Sequence, residues 1–168
     1  MISVTSAEAN KILIKLNDER QAMIEQESSL SWFMCASTEK PEDNRPDYDM
    51  EQYHAQLNEL EGKIRTVKHA VNIFNTTHKV PGFDMTIDEI LVFIPQLNEK
   101  KRSLRYMSMS AVKQRQTISN TPVIDYRYAN FDPAKAKEEY NRVSDLLAQA
   151  QLALDQVNTT EKMNIEID

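Results

Sequence analysis

Glycine, cysteine and tryptophan are nearly missing from these 168 residues, which hold two glycines, one cysteine and one tryptophan. Glycine is the usual route to positive φ in tight turns, so a chain with only Gly62 and Gly82 has few tight hairpins and much continuous helix. The same scarcity removes the phosphate-cradling glycine loop, the dinucleotide-binding glycine pattern and the Gly-x-Ser-x-Gly turn of many hydrolases. Cys35 is the lone thiol and cannot form an internal disulfide, so the fold does not rely on an oxidising compartment. Long apolar runs are lacking too. The longest strongly apolar stretch, residues 90–94, is far short of the roughly 20 residues of a membrane-spanning helix. The opening MISVTSAEANKILIK carries polar residues where a secretory core would lie. The expectation is a cytoplasmic protein that makes no use of a membrane.

What is present is helical periodicity. The length suits a single domain, expected over 1–168. Ile2 and Val4 alternate and predict a short first strand. Thr5 followed by Glu8 forms a capping box that opens a helix running to about Cys35. Its apolar positions include Ala9, Ile12, Leu16, Met23, Leu30, Phe33 and Met34. Glu19, Arg20, Gln26 and Glu27 interrupt the stripe, and some of them are expected to be half-buried and paired, because an unpaired buried charge is costly. Residues 37–49 (STEKPEDNRPDYD) contain two prolines and no aliphatic side chain and read as an acidic solvated linker.

From Met50 to Thr77 the apolar positions Met50, Tyr53, Leu57, Leu60, Ile64, Val67, Val71 and Phe74 alternate steps of three and four. That is a seam of the coiled-coil type. Gly62 falls outside it. Pro81-Gly82 predicts a turn. Thr86 and Glu89 form a second capping box before a helix whose buried face is Ile87, Ile90, Leu91, Ile94, Leu97 and Leu104, with Pro95 inside it. Residues 112–131 read as a β-like insertion. Val123 to Tyr128 alternate and are expected to pair with Val112 to Ile118 across Asn120-Thr121-Pro122. Asp132 then caps a last helix beginning at Pro133, with a seam of Ala136, Tyr140, Val143, Leu147, Ala150, Leu154 and Val157. The tail alternates at Met163, Ile165 and Ile167 and predicts a strand beside the hairpin or the N-terminus. The fold expected is mainly α, with four long helices in an antiparallel bundle or coiled-coil-like hairpins, a small β-hairpin near 112–129 and short terminal strands.

The stretches LNELEGKIRTVKHAVNIFNTTH (residues 57–78), MTIDEI, LNEKKRSLRYM, DPAKAKEEY and LDQVNTT together resemble a small bacterial helical family, some of whose members carry the label septicolysin. The resemblance covers the chain from the second long helix onward. It implies a helical oligomer and no established activity. No membrane-inserting hairpin accompanies the cytolysin label in this sequence.

Three chemistries are worth weighing. Glu51-x-x-His54 has the spacing of two metal ligands on one helix face, yet it occurs once where di-iron bundles use it twice, so a solvated pair is the better reading and no metal or other cofactor is expected. Cys35 reads as a small apolar residue beside Trp32, Phe33 and Met34 rather than a nucleophile. The anomaly is charge. Residues 100–128 hold Lys100, Lys101, Arg102, Arg105, Lys113, Arg115 and Arg127 against Asp125 alone, a net of +6. The other residues carry 13 bases and 25 acids, a net of −12. Tyr106, Tyr126 and Tyr128 lie in the basic segment and have the shape to stack on bases. Two readings follow. The favoured one is a non-enzymatic interaction or scaffold protein, homo-oligomeric through its heptad seams, with the basic segment paired to acidic helices or to another protein. The alternative is a nucleic-acid or phosphate-ligand binder acting through Lys100–Lys101–Arg102, Arg105, Lys113, Arg115, Arg127, Tyr126 and Tyr128. Long-range repulsion between phosphate and a protein of net charge −6 counts against the alternative.

Overall fold

The fold was analysed in a computed structural model that describes residues 1–116 and 124–167. In chain order the elements are β1 (Ile2–Thr5), α1 (Ser6–Leu30), α2 (Pro41–Asn44), α3 (Met50–Thr77), α4 (Ile87–Ser108), β2 (Lys113–Gln116), β3 (Asp125–Tyr128), α5 (Pro133–Thr160) and β4 (Lys162–Ile165). The protein is mainly α, with two small antiparallel strand pairs, β1 with β4 and β2 with β3. The expected turn at Asn120-Thr121-Pro122 lies outside the described residues. Among those residues no helix is long and apolar enough to cross a membrane. The chain falls into two compact units, Met1–Asn75 with Asn158–Asp168, and Thr76–Val157.

In the first unit β1 and β4 pair antiparallel, with Ile2 opposite Ile165 and Val4 opposite Met163. The tail strand therefore joins the N-terminal strand and not the hairpin. Met163 and Ile165 are buried while Lys162 and Asn164 are exposed, the alternation expected of a strand with one sheltered face. Thr5 ends β1 and caps α1. Its Oγ1 accepts from the Glu8 N–H at 3.2 Å, and the Thr5 N–H donates to Glu8 Oε2 at 2.8 Å. That backbone donor, with the Thr5 hydroxyl, holds the Glu8 carboxyl below its ordinary range.

Along the α3 seam Leu60, Val67 and Phe74 are buried and Tyr53, Leu57, Ile64 and Val71 half-buried, whereas Met50 is exposed. The pairing of α3 with α1 can be read from polar contacts. Arg20 Nε donates to Glu61 Oε1 at 2.7 Å, and Glu27 Oε1 lies 3.1 Å from His54 Nε2. Seven residues forward in α1 match seven backward in α3, so the two helices run antiparallel in register. Of the charges interrupting the α1 stripe, Arg20 and Glu27 are half-buried and partnered, as expected, whereas Glu19 and Gln26 are exposed.

Helix α1 ends earlier than its sequence suggests. The Ser31 N–H bonds to the Glu27 carbonyl at 2.9 Å and closes the last turn, and Trp32, Phe33 and Met34 lie beyond it. Ser28, Ser29 and Ser31 are poor helix formers whose hydroxyls compete for backbone groups, and Ser29 Oγ does donate to the Gln26 carbonyl at 2.7 Å. Phe33 lies with Arg45, Pro46 and Tyr48 around a shallow hollow. The linker is not wholly irregular, since Pro41 starts the single-turn helix α2. Cys35 sits past the helix end in a polar turn rather than among apolar side chains. Its thiol lies 3.8 Å from Glu39 Oε2 and 3.7 Å from Asn44 Nδ2.

In the second unit the Pro81-Gly82 turn places Gly82 at φ 81°. It is closed by Val80 N–H to the Met85 carbonyl at 2.9 Å and Ile87 N–H to the His78 carbonyl at 3.0 Å. Lys79 and Asp84 form an ion pair across it. Thr86 and Glu89 form the predicted capping box of α4, which continues through Pro95. The core joins Leu97 of α4 to Val143, Leu147 and Ala150 of α5, with Phe93, Ile94 and Leu104 packed against it. Leu91, expected on the buried face, is 46% exposed, and Phe93 packs against the core. Lys100 meets Glu139 while Pro95 shares a groove with Gln151, so α4 and α5 also run antiparallel. Every seam position of α5 except Tyr140 is buried.

Gly62 lies away from the α3 seam, and a Cβ added there would meet only the end of Arg65 at 3.7 Å. Gly62→Ala is expected to raise stability by about 1 kcal/mol, since alanine costs less backbone entropy in a helix. Gly82→Ala is expected to lower it by about 1 kcal/mol, because its positive φ disfavours a Cβ. Urea unfolding midpoints of the two variants check both signs.

Candidate functional site

Two antiparallel four-residue strands stand exposed along their whole length. Their register sets Lys113 opposite Tyr128, Gln114 opposite Arg127, Arg115 opposite Tyr126 and Gln116 opposite Asp125. Opposed residues share a face, so the ribbon has two distinct sides. One carries Lys113, Arg115, Tyr126 and Tyr128. The other carries Gln114, Gln116, Asp125 and Arg127. The Ala129 N–H bonds to the Val112 carbonyl at 2.9 Å and extends the ladder toward its root.

On the first side, Lys113 Nζ lies 4.0 Å from the Tyr126 ring centroid and 5.5 Å from that of Tyr128. The two rings sit 6.5 Å apart, tilted by 51°. The ammonium is thus held by the electron-rich faces of both rings. On the second side, Arg127 and Gln114 overhang a half-open cleft of about 210 Å³, whose other walls include Tyr106, Ser110, Asn130 and Phe131. The end of α4 and the root of the hairpin therefore adjoin.

The seven predicted cations do not act as one patch. Lys100 Nζ lies 2.7 Å from Glu139 Oε1 and is neutralised within the unit. Lys101 Nζ lies 5.9 Å from the Tyr140 ring centroid. Arg102 and Arg105 are exposed near the end of α4. They, with Lys113, Arg115 and Arg127, make no ion pair with any described residue. Most of the positive charge therefore faces outward. Tyr126 and Tyr128 accompany it, at 44% and 62% exposure.

The sequence gives little warning of two further clusters. Glu139 receives Lys100 and also both Arg142 Nε and Arg142 Nη2, each at 2.7 Å. The Arg142 guanidinium, with Lys100, holds its carboxyl down at about 2. Only the three-residue spacing of Glu139 and Arg142 hints at this in the sequence. In the first unit Glu27 Oε1 accepts from Tyr48 Oη at 2.8 Å and lies beside His54. That bond to a carboxylate raises the Tyr48 phenol above its ordinary range, and burial raises Tyr53.

His54 is partnered by a carboxylate other than Glu51. The carboxylate at His54 belongs to Glu27 of α1, while Glu51 is exposed. Among the described residues no group of three or more His, Cys, Asp or Glu side chains is placed to hold a metal ion. The hairpin surface presents exposed cations, tyrosine side chains and amides.

Protonation of Glu139 provides a check. Its folded value lies below its ordinary 4.5, so its ties to Arg142 and Lys100 are complete above that value and fade as pH falls toward about 2. A carboxyl-carbon NMR titration should place the Glu139 midpoint near 2, and in Arg142→Ala should move it up toward 4.5.

No family model matches the chain, and no curated protein matches it. A crystal structure of a functionally unknown conserved protein from Corynebacterium diphtheriae is similar in fold, with a TM-score of 0.58 and 13% sequence identity. The match covers 97% of this chain and 100% of that one.

Proposed function

We propose that this protein is a non-enzymatic helical interaction protein that works as a homo-oligomer, with the basic hairpin as a contact element. One observation carries the reading: all eight residues of β2 and β3 are exposed. A lone two-stranded ribbon is marginal in water and gains by packing on something. This ribbon offers three cations that form no ion pair with a described residue, and two tyrosines, so the surface that suits it is anionic and partly apolar. Residues outside 100–128 carry a net charge of −12, which makes another copy of the same chain a ready partner.

The heptad seams first suggested as the oligomer interface are largely sheltered within this chain, notably Val143, Leu147, Ala150, Leu154 and Val157. Association between copies would therefore use the outer surfaces. A lone free cysteine suits a reducing, cytoplasmic setting.

Nucleic acid is the second reading, favoured by the interleaving of Lys113 and Arg115 with Tyr126 and Tyr128 on one side of the ribbon. Against it, Lys113 already lies over both rings, so a stacking base would have to displace the ammonium.

Sedimentation equilibrium at low salt should give a mass that is a multiple of 19.4 kDa, falling as salt is raised. A 19.4 kDa species at every concentration and salt would remove the oligomer reading. A labelled single-stranded oligonucleotide should show no saturable binding. Tight, salt-sensitive binding that K113E/R115E/R127E abolishes would establish the second reading instead.

A further inference from the structure

We infer that the exposed apolar tip at residues 32–34, with the acidic segment 37–51, is the docking surface for the basic hairpin of a second copy of this chain. The inference rests on the oligomer reading and names the two surfaces that meet.

Trp32 is 85% exposed and Met34 is 98% exposed, beyond the last turn of α1. Large apolar side chains presented this fully, beside a polar rim, are the composition of an interface core and not of a solvated loop. Tryptophan is also the side chain most often dominant in such contacts. The tip does not hang free. Phe33 borders a hollow with Arg45, Pro46 and Tyr48, and the turn at Cys35 is tied by the Ala36 N–H to Glu39 Oε2 at 3.2 Å. Trp32 and Met34 are thus held on a structured base.

The rim of that base is acidic. Residues 37–51 hold six acids (Glu39, Glu42, Asp43, Asp47, Asp49 and Glu51) against Lys40 and Arg45, a net of −4. All six acids are exposed, and none is in an ion pair with a described residue. The hairpin is its complement. It carries Lys113, Arg115 and Arg127, likewise unpaired, and adds Tyr126, Tyr128 and the exposed apolar side chains Val112 and Ile124. A cationic, tyrosine-bearing ribbon seated on a tryptophan and methionine with carboxylates around them satisfies both charge and apolar burial. Because the two surfaces differ, two copies can exchange them reciprocally in a closed pair, or copies can add head-to-tail until a ring closes or a filament grows.

Charge exchange tests this. K113E/R115E/R127E and E42K/D43K/D47K alter exposed side chains only, and circular dichroism should show unchanged helix content in both. Each variant alone is expected to associate more weakly than the parent by roughly tenfold or more at low salt. Mixed in equal amounts, they should recover parent-like association, since each supplies the sign the other lost. W32S/M34S should weaken association by a similar factor, but with little dependence on salt.

Association that survives both charge reversals, or a mixture that fails to recover, would overturn the inference while leaving an oligomer in place. So would a W32S/M34S variant that associates like the parent, which would assign the tip to another occupant. A parent protein that sediments only as a monomer would sink the oligomer reading itself.

Discussion

Each long helix carries one apolar stripe, and a stripe left in water forfeits the burial that holds a domain together. In this chain the stripe is met by an antiparallel neighbour within each unit. In the second unit, Leu97 of α4 is enclosed with Val143, Leu147 and Ala150 of α5, and the rest of the α5 seam follows the same flank. Seven-residue spacing makes this pairing possible, because it keeps successive apolar positions on one side for the helix's whole length. The capping boxes at Thr5 and Thr86 fix where the rods begin, so the stripes arrive in register. The exposed features, hairpin and tip alike, are what this pairing leaves over.

Charge is arranged around that apolar constraint. Arg20 with Glu61 and Glu27 with Tyr48 and His54 bind α1 to α3 at half-buried positions. Lys100 and Arg142 converge on Glu139 in the second unit. Surface ion pairs of this kind add little stability individually. Their larger effect is on alignment, since each pair matches one residue of one helix to one of the next. Two segments concentrate exposed charge mostly of one sign, with Lys113, Arg115 and Arg127 on the hairpin and six acids in residues 37–51. Such separation of sign within one chain steers encounters between molecules more than it stabilises any one of them.

Much of the fold was legible in the sequence, and the reasons differ by element. Helix α3 could be read to its last residue, because its seam is unbroken and the acidic linker before it and Pro81-Gly82 after it bracket it. Helix α5 was legible from Asp132 and Pro133, since capping chemistry is local. The end of α1 was misjudged because Phe33 and Met34 continue the apolar spacing. Periodicity does not report that the serines before them favour stopping, nor that Phe33 and Met34 lie exposed. Leu91 shows the same weakness, since spacing alone did not separate it from Phe93. Of the candidate site, the composition of the basic segment was legible. Its division was not, because the Lys100–Glu139 contact joins residues 39 apart in sequence and depends on how α4 and α5 align.

The pairing of β1 with β4 has a kinetic consequence. Ile2–Thr5 are synthesised before the four long helices and Lys162–Ile165 after them, so the first strand waits for its mate while all of those helices are made. Until then its ladder groups are satisfied by water, and the unit it belongs to stays open. The link closes around all four long helices, so its closure carries a large loop entropy and comes late in folding. Strands β1 and β4 thus act as a latch that shuts after the helices are in place.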